Sequence, residues 1–334
     1  MSRPQAAVLG SGGWGTALAA HLARVGHDVR LWGRDAHLIA ELGRTRVNAT
    51  YLPGVDIPAG VTPVADLSVA VSGVSLVVAA VPSHGLRQVA RAMAPALAQG
   101  ATLVSATKGI EVDSLFRMSD VLAQECGPGH PVVVLSGPSF ALELARSLPT
   151  AVVAASTDPK AVARVLEEFR SAYFRLYESD DVVGVEIGGA LKNVIAIAAG
   201  AAEGLGLGFN AKAGLITRGL AEIARLAVAA GGKRETLAGL AGLGDLVLTC
   251  HGSLSRNRQF GLELGRGRTA AEILAGMKAV AEGVRTATAA RTLGARYGIE
   301  LPITEQVVAV IDGRISPQAA VTELMDRPQR AEVG

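Results

Sequence analysis

The sequence predicts an α/β fold: a mostly parallel β-sheet in the N-terminal half, followed by an all-helical C-terminal domain. Three observations predict it. Near-continuous apolar runs, among them Ala6–Leu9, Ser75–Val81 and Ala101–Thr107, alternate with helical patterns, as strands covered on both faces do. The first run ends in a glycine-rich turn that opens straight into a helix. Strand signals stop after Tyr177, and from Asp181 nearly everything reads as helix broken by glycine. The division is therefore placed at 182, giving a dinucleotide-binding domain over 1–182 and a helical substrate domain over 183–334.

The opening run leads into Gly10-Ser11-Gly12-Gly13-Trp14-Gly15, and a helical pattern follows from Thr16 to Val25. A strand, then G-x-G-x-x-G, then a helix is the Rossmann-type dinucleotide fingerprint in its proper context. Gly10 makes the tight turn, Gly12 lets backbone approach a pyrophosphate, and Gly15 lets helix and strand pack. The helix N-terminus then faces the negative charge. A second strand, His27–Trp32, ends in Gly33-Arg34-Asp35. An arginine at this strand end suits a 2′-phosphate and points to NADPH. Asp35 leaves NADH open, or caps the next helix.

The alternation continues through a helix at His84–Leu97 and strands at Pro131–Leu135 and Ala151–Ala155. In such sheets ligands bind beyond the carboxyl ends of the strands. That rule singles out Val81-Pro82-Ser83, Thr107-Lys108-Gly109 and the stretch Ser136 to Ala141. Lys108 is a cation at the crevice, able to touch substrate or cofactor; otherwise it is a plain turn lysine. Gly137 and Ser139 offer N–H and hydroxyl donors at a helix start, or simply cap that helix.

Val183–Gly204 is apolar nearly all the way round, so it is a helix buried on every side, with Ala and Gly letting neighbouring backbones come close. Lys192, Asn193 and Glu203 interrupt it, which argues against a membrane span. Lys192 inside this cylinder either snorkels to water or is held dry. Burial would depress its pKa towards the range useful for proton transfer. Further on, Asp245 is the natural counter-charge for it. Ser255, Arg256 and Asn257 form a polar group suited to a phosphate, although a solvated basic loop reads the same way. His251 is either an acid–base group or a structural histidine. Glu282 either holds a cofactor ribose or is a helix-surface acid.

Composition sets bounds. The chain has 334 residues, 49% of them hydrophobic, enough for two cores. A net charge of +2 gives no reason to expect nucleic acid or an anionic membrane as partner. The two cysteines, Cys126 and Cys250, have no metal or CxxC spacing, so no metal is expected. No leader is read before the first strand, and a reducing, cytoplasmic setting is expected.

With these residues in view, the chain closely resembles bacterial NAD(P)-dependent glycerol-3-phosphate dehydrogenase, over about residues 5–327. The matching strings are GxxxWGTALA from Gly10, NATYLPG from Asn48, VPS from Val81, ATKGIE from Ala106 and SGPSFA from Ser136. They continue with ALKNVIAIAAG from Ala190, NAKAGLITRG from Asn210, GLGDLVLTC from Gly242 and LSRN from Leu254. The resemblance implies hydride transfer between NAD(P)H and dihydroxyacetone phosphate, with Lys192 as proton donor and acceptor; Asp245 and Asn193 are expected to hold its ammonium in place. It implies substrate contacts from Lys108, Gly137, Ser139, Lys192, Asp245, Ser255, Arg256 and Asn257. Cofactor contacts would come from Gly13, Trp14, Arg34, Tyr51, Lys108, Ala141, Arg256, Val280 and Glu282, beside the fingerprint glycines Gly10, Gly12 and Gly15. A homodimer and a role in phospholipid synthesis are further implications. Two positions depart from the family pattern: Gly13 replaces the usual Ser, and His251 the usual Thr. Two rivals are a sibling reductase acting on a hydroxy acid or ketopantoate, and a non-catalytic dinucleotide sensor.

Overall fold

The computed structural model describes residues 4–277, 281–329 and 331–332. Ten strands form in chain order: β1 (Gln5–Leu9), β2 (Asp28–Trp32), β3 (Val47–Asn48), β4 (Leu52–Asp56), β5 (Val61–Val64), β6 (Leu76–Ala79), β7 (Thr102–Ser105), β8 (Val132–Ser136), β9 (Thr150–Ala155) and β10 (Phe174–Ser179). Eight of them build one sheet in the order β10-β9-β8-β7-β6-β1-β2-β5, while β3 and β4 pair as a separate antiparallel hairpin. All neighbours in the large sheet are parallel except β8 and β9. The edge strand β5 and the β3–β4 hairpin carry no clear apolar run, because proline and polar residues interrupt them, and the sequence does not announce them.

Successive residues of a strand point to opposite faces. Ala6 and Val8 therefore enter one core with Leu18 and Leu22, while Ala7 and Leu9 enter another with Leu86 and Met93. Both faces are buried, which is why the strands read as unbroken apolar runs. Strand order reverses at β1, with β2 on one side and β6 on the other. A dinucleotide crevice belongs at such a switch point.

The antiparallel step at β9 decides where the second half begins. Because β10 runs parallel to β9 and against β8, the chain leaves the sheet at the end opposite the crevice. Helix Val182–Gly204, capped by Asp181 through Gly184 N–H, then runs back along β8. Val185 packs on Val134 and Val153, and Gly189 lies against Ser136. Eleven residues at about 1.5 Å each carry the chain roughly 16–17 Å from the cap to Lys192. Among the described residues this helix alone is long and apolar enough to cross a membrane, yet 83% of its apolar window is buried in protein. It is a core helix.

Its glycines set the packing. A Cβ at Gly200 would stand 2.0 Å from Arg258 O, and one at Gly261 would stand 1.9 Å from Ile197 O. Helix Arg256–Gly265 therefore touches the core helix backbone to backbone, the close approach that small residues allow. Phe260, Leu264, Leu246 and Leu293 close the second core around it, each such side chain contributing roughly 1.5–3 kcal/mol by burial.

Candidate active site

At the end of β1 the glycine-rich turn is shaped by absent side chains. A Cβ at Gly10, where φ is +121°, would stand 2.5 Å from Ala80 O, and one at Gly15 would stand 1.9 Å from Gly10 O. Gly12 instead faces open space, with nothing within 4 Å of a Cβ. Helix Gly13–Arg24 starts there and aims its free N–H groups at that space. Trp14 Nε1 is buried and has no partner among the described residues. A cradle, a helix start and an unpaired donor fit a dinucleotide pyrophosphate. Gly13 lies under the hairpin: its Cβ would be 2.8 Å from Tyr51 O and 3.6 Å from the Ala141 methyl. Ser, expected there from the resemblance, would thus need the hairpin to shift. The hairpin is pinned by Asn48, whose Nδ2 donates to Ser11 O at 2.9 Å and to Thr16 Oγ1 at 2.8 Å.

Arg34 is exposed just past β2, free to meet a 2′-phosphate. Asp35 has the helix-capping role, accepting from His37 and Leu38 N–H at 3.0 and 3.1 Å. Glu282 accepts from Ser83 N–H at 3.2 Å and from Ser83 Oγ at 2.6 Å, so it ties the helical half to the exit of β6. Val280 lies outside the described residues.

Two lysines from different segments converge on one anion. Asp245 opens helix Asp245–His251 directly after the π-turn Leu240–Gly244, the kind of helix irregularity that often marks a functional position. Its side chain is 1% exposed. One of its oxygens accepts from Lys192 Nζ, and the other accepts from Lys108 Nζ at 2.5 Å. Lys192 also donates to Thr249 Oγ1 at 2.9 Å, and Lys108 to Gly137 O at 2.9 Å and Ser139 Oγ at 3.4 Å. Burial lowers the Lys192 pKa to about 8; the Asp245 charge opposes that shift and the Lys108 charge reinforces it. Two ammonium groups on one carboxylate leave a net positive charge, which a substrate anion would neutralise.

Around this pair the structure places the remaining polar residues. Ser255 caps helix Arg256–Gly265, accepting from Arg258 N–H at 3.2 Å. Arg256 is exposed to the crevice, within electrostatic reach of Glu282 and Tyr51. Asn257 is buried, donating to Asn193 Oδ1 at 2.9 Å and accepting from Gly283 N–H at 2.9 Å, which leaves one amide hydrogen for a ligand. Asn193 therefore does not steady the Lys192 ammonium as expected. It turns to Asn257 across the close helix contact, and Thr249 takes its place. Thr249 stands four residues after Asp245 on one helix face, a spacing by which it could have been found. His251 is exposed, with its ring against Val247 O, away from the buried pair.

Glu186 was not singled out by the sequence. It is buried one and a half turns before Lys192, accepting from Ser119 N–H at 2.9 Å and from Ser119 Oγ at 2.5 Å. Burial pushes its carboxyl up to about 7, against the pull of Arg117 and Ser119. Both cysteines are held as thiols by burial, Cys126 at about 11 and Cys250 at about 12. Among the described residues no three His, Cys, Asp or Glu side chains gather as a metal site.

Comparison with known proteins gives the same outline. The chain matches the family models described as the NAD-dependent glycerol-3-phosphate dehydrogenase N-terminus, over residues 5–162, and C-terminus, over residues 181–322. It is 52% identical to glycerol-3-phosphate dehydrogenase (NAD(P)+) of Geobacter metallireducens, covering 98% of each chain. The crystal structure of glycerol-3-phosphate dehydrogenase from Coxiella burnetii superposes with a TM-score of 0.94 at 42% identity, over 97% of this chain and 99% of that one. A ketopantoate reductase from Ralstonia eutropha shares the fold alone, at TM-score 0.61 and 20% identity over 95% of this chain and 99% of that one.

Proposed function

The chain belongs to the NAD-dependent glycerol-3-phosphate dehydrogenase family, and we propose that Lys192 is the group through which it moves the proton. The enzyme interconverts dihydroxyacetone phosphate and sn-glycerol 3-phosphate with NAD(P)H. The nicotinamide, when bound, supplies or accepts the hydride. Reduction of the carbonyl builds negative charge on its oxygen, and that oxygen must be protonated as it forms. Lys192 carries an ammonium there, depressed to about 8, and its proton is the one delivered. Asp245 orients the ammonium from one side and Thr249 from the other. Lys108, held on the second Asp245 oxygen, adds positive charge where the oxyanion develops.

Arg256 and the remaining Asn257 amide hydrogen grip the phosphate, with Ser255 holding their helix start; Gly137 and Ser139 complete the substrate side. A remote anion held this way fixes the carbonyl relative to Lys192. On the cofactor side Gly10, Gly12, Gly13, Gly15 and Trp14 take the pyrophosphate. Arg34 takes the 2′-phosphate that favours NADPH over NADH. Tyr51, Ala141 and Glu282 line the rest of the crevice.

The single observation that carries the reading is the buried Lys192–Asp245–Lys108 pair of contacts at the crevice. It also speaks against a dinucleotide sensor, which needs no dry proton donor. Replacement of Lys192 by Ala tests it. NADPH oxidation should vanish while NADPH binding, followed by fluorescence titration, stays near wild type; surviving turnover would refute the role. The division at 182, a homodimer formed through the helical half, and a cytoplasmic role in phospholipid synthesis belong to the same proposal. Phe209, 87% exposed at the start of helix Gly208–Ala229, suits such a dimer contact.

A further inference from the structure

Behind Lys108 lies a cavity of about 10 Å³, walled by Thr107, Lys108, Ser136, Glu186 and Gly189 among others. One water needs roughly that room, together with two or more polar partners. The walls supply them. Ser136 Oγ is buried at the end of β8 and has no hydrogen-bond partner among the described residues. Glu186 accepts from Ser119 with both oxygens, and its Oε2 also faces the Arg117 guanidinium at 3.5 Å, so Oε1 is the oxygen that keeps a further lone pair for a ligand. Glycine at 189 leaves room for the Ser136 hydroxyl at this wall: a Cβ there would stand 2.5 Å from Ser136 Oγ and 3.8 Å from Lys108 Cδ. Gly189 lies three residues after Glu186, on the same side of the core helix, and three before Lys192, so the cavity wall sits less than one turn from that ammonium's helix position.

The geometry points to a built water site: one water accepts from Ser136 Oγ, donates to Glu186, and backs the stem of Lys108. A lysine has a long, rotamer-rich stem. Its ammonium is fixed at Gly137 O, Ser139 and Asp245, while the residue borders the cavity beside Gly189. The water fills that cavity with a partner that is itself held from two sides. Ser136, Glu186 and Gly189 are then positioning residues for Lys108. The water site stands independently of the reaction, whereas the positioning role rests on Lys108 as a substrate contact.

The test combines a high-resolution crystal structure of the full chain with kinetics of three variants. Water density within hydrogen-bond distance of Ser136 Oγ and Glu186 is expected in the wild type, and should be lost in Ser136→Ala. Loss of one such link should raise the KM for dihydroxyacetone phosphate about fivefold, with the KM for NADPH unchanged. In the double variant Ser136→Ala/Gly189→Ala, the new methyl takes the room left by the serine hydroxyl and reaches Lys108 Cδ, and KM should return towards wild type. A purely structural role would lower Tm in Ser136→Ala without moving KM. Absent density overturns the water site. An unchanged KM in Ser136→Ala, or no recovery in the double variant, overturns the positioning role, provided Lys108→Met raises KM. If Lys108→Met leaves KM unchanged, the reading of Lys108 as a substrate contact has failed and the positioning role falls with it; the density alone then decides the water site.

Discussion

Lys108, just beyond the end of β7, and Lys192, inside the core helix of the other half, sit on opposite oxygens of the Asp245 carboxylate. The two halves of the chain therefore share this buried anion, and the proton chemistry proposed for Lys192 would be set by a contact that also joins them.

The first prediction concerns pH. Reduction needs Lys192 protonated, so its rate should fall as pH rises through about 8; oxidation needs it neutral and should rise over the same range. In Asp245→Asn the carboxylate no longer supports the ammonium, and both limbs should move to lower pH. Turnover at neutral pH should drop about 10²–10³-fold. Profiles of kcat in both directions check the sign; an alkaline shift would count against Asp245 as counter-charge.

A second prediction separates the cofactors. Arg34 is exposed just past the end of β2. Arg34→Ala should raise the KM for NADPH about 10–100-fold, the worth of a charge-assisted phosphate contact, and leave that for NADH nearly unchanged. Equal losses for both nucleotides would remove Arg34 from the 2′-phosphate.

Stability should also depend on pH through Glu222. Burial pushes this carboxyl up to about 7, although Ile303 and Thr304 N–H donate to it at the start of helix Pro302–Ile311. Its folded pKa lies above the unfolded value, so the folded state binds more protons between the two. The contribution, about 3 kcal/mol by linkage, is present below roughly pH 4.5 and lost as pH rises through about 7. Denaturant midpoints of Glu222→Gln across this range should vary less with pH than those of the wild type. Glu186, raised to about 7 as well, keeps the remaining slope.

Two glycine substitutions should act in opposite directions. Gly261→Ala puts a methyl 1.9 Å from Ile197 O and forces the core helices apart, costing at least about 3 kcal/mol. Gly214→Ala lies within helix Gly208–Ala229 with nothing within 4 Å, and should stabilise by about 0.5–1 kcal/mol through helix propensity. Thermal unfolding of the pair would show whether space, rather than the loss of glycine as such, sets the outcome.

Periodicity and turn chemistry were enough to announce the parallel strands, the phosphate turn at Gly10–Gly15 and the buried helix around Lys192, because these are local properties of consecutive residues. Asp245 could be named as counter-charge, since a buried ammonium demands one and few acids lie among apolar neighbours. The weaker local signals failed: β5 and the β3–β4 hairpin are interrupted by proline and polar residues and owe their pairing to neighbours far along the chain. The partners of Asn193 lay equally out of view. Nothing in its immediate sequence says that Asn257, sixty-four residues later, takes its carbonyl.

By itself, then, the order of residues determined that the helix around Lys192 is buried and that a glycine-rich turn links the first strand to a helix, since hydrophobic pattern and glycine content act over a few residues. The antiparallel turn at β9, which sends the core helix back to the crevice, could only be decided in three dimensions. So could the sharing of one carboxylate by Lys108 and Lys192 and the cavity between Ser136 and Glu186. Each depends on the direction in which distant segments cross, and that is fixed by packing both cores at once.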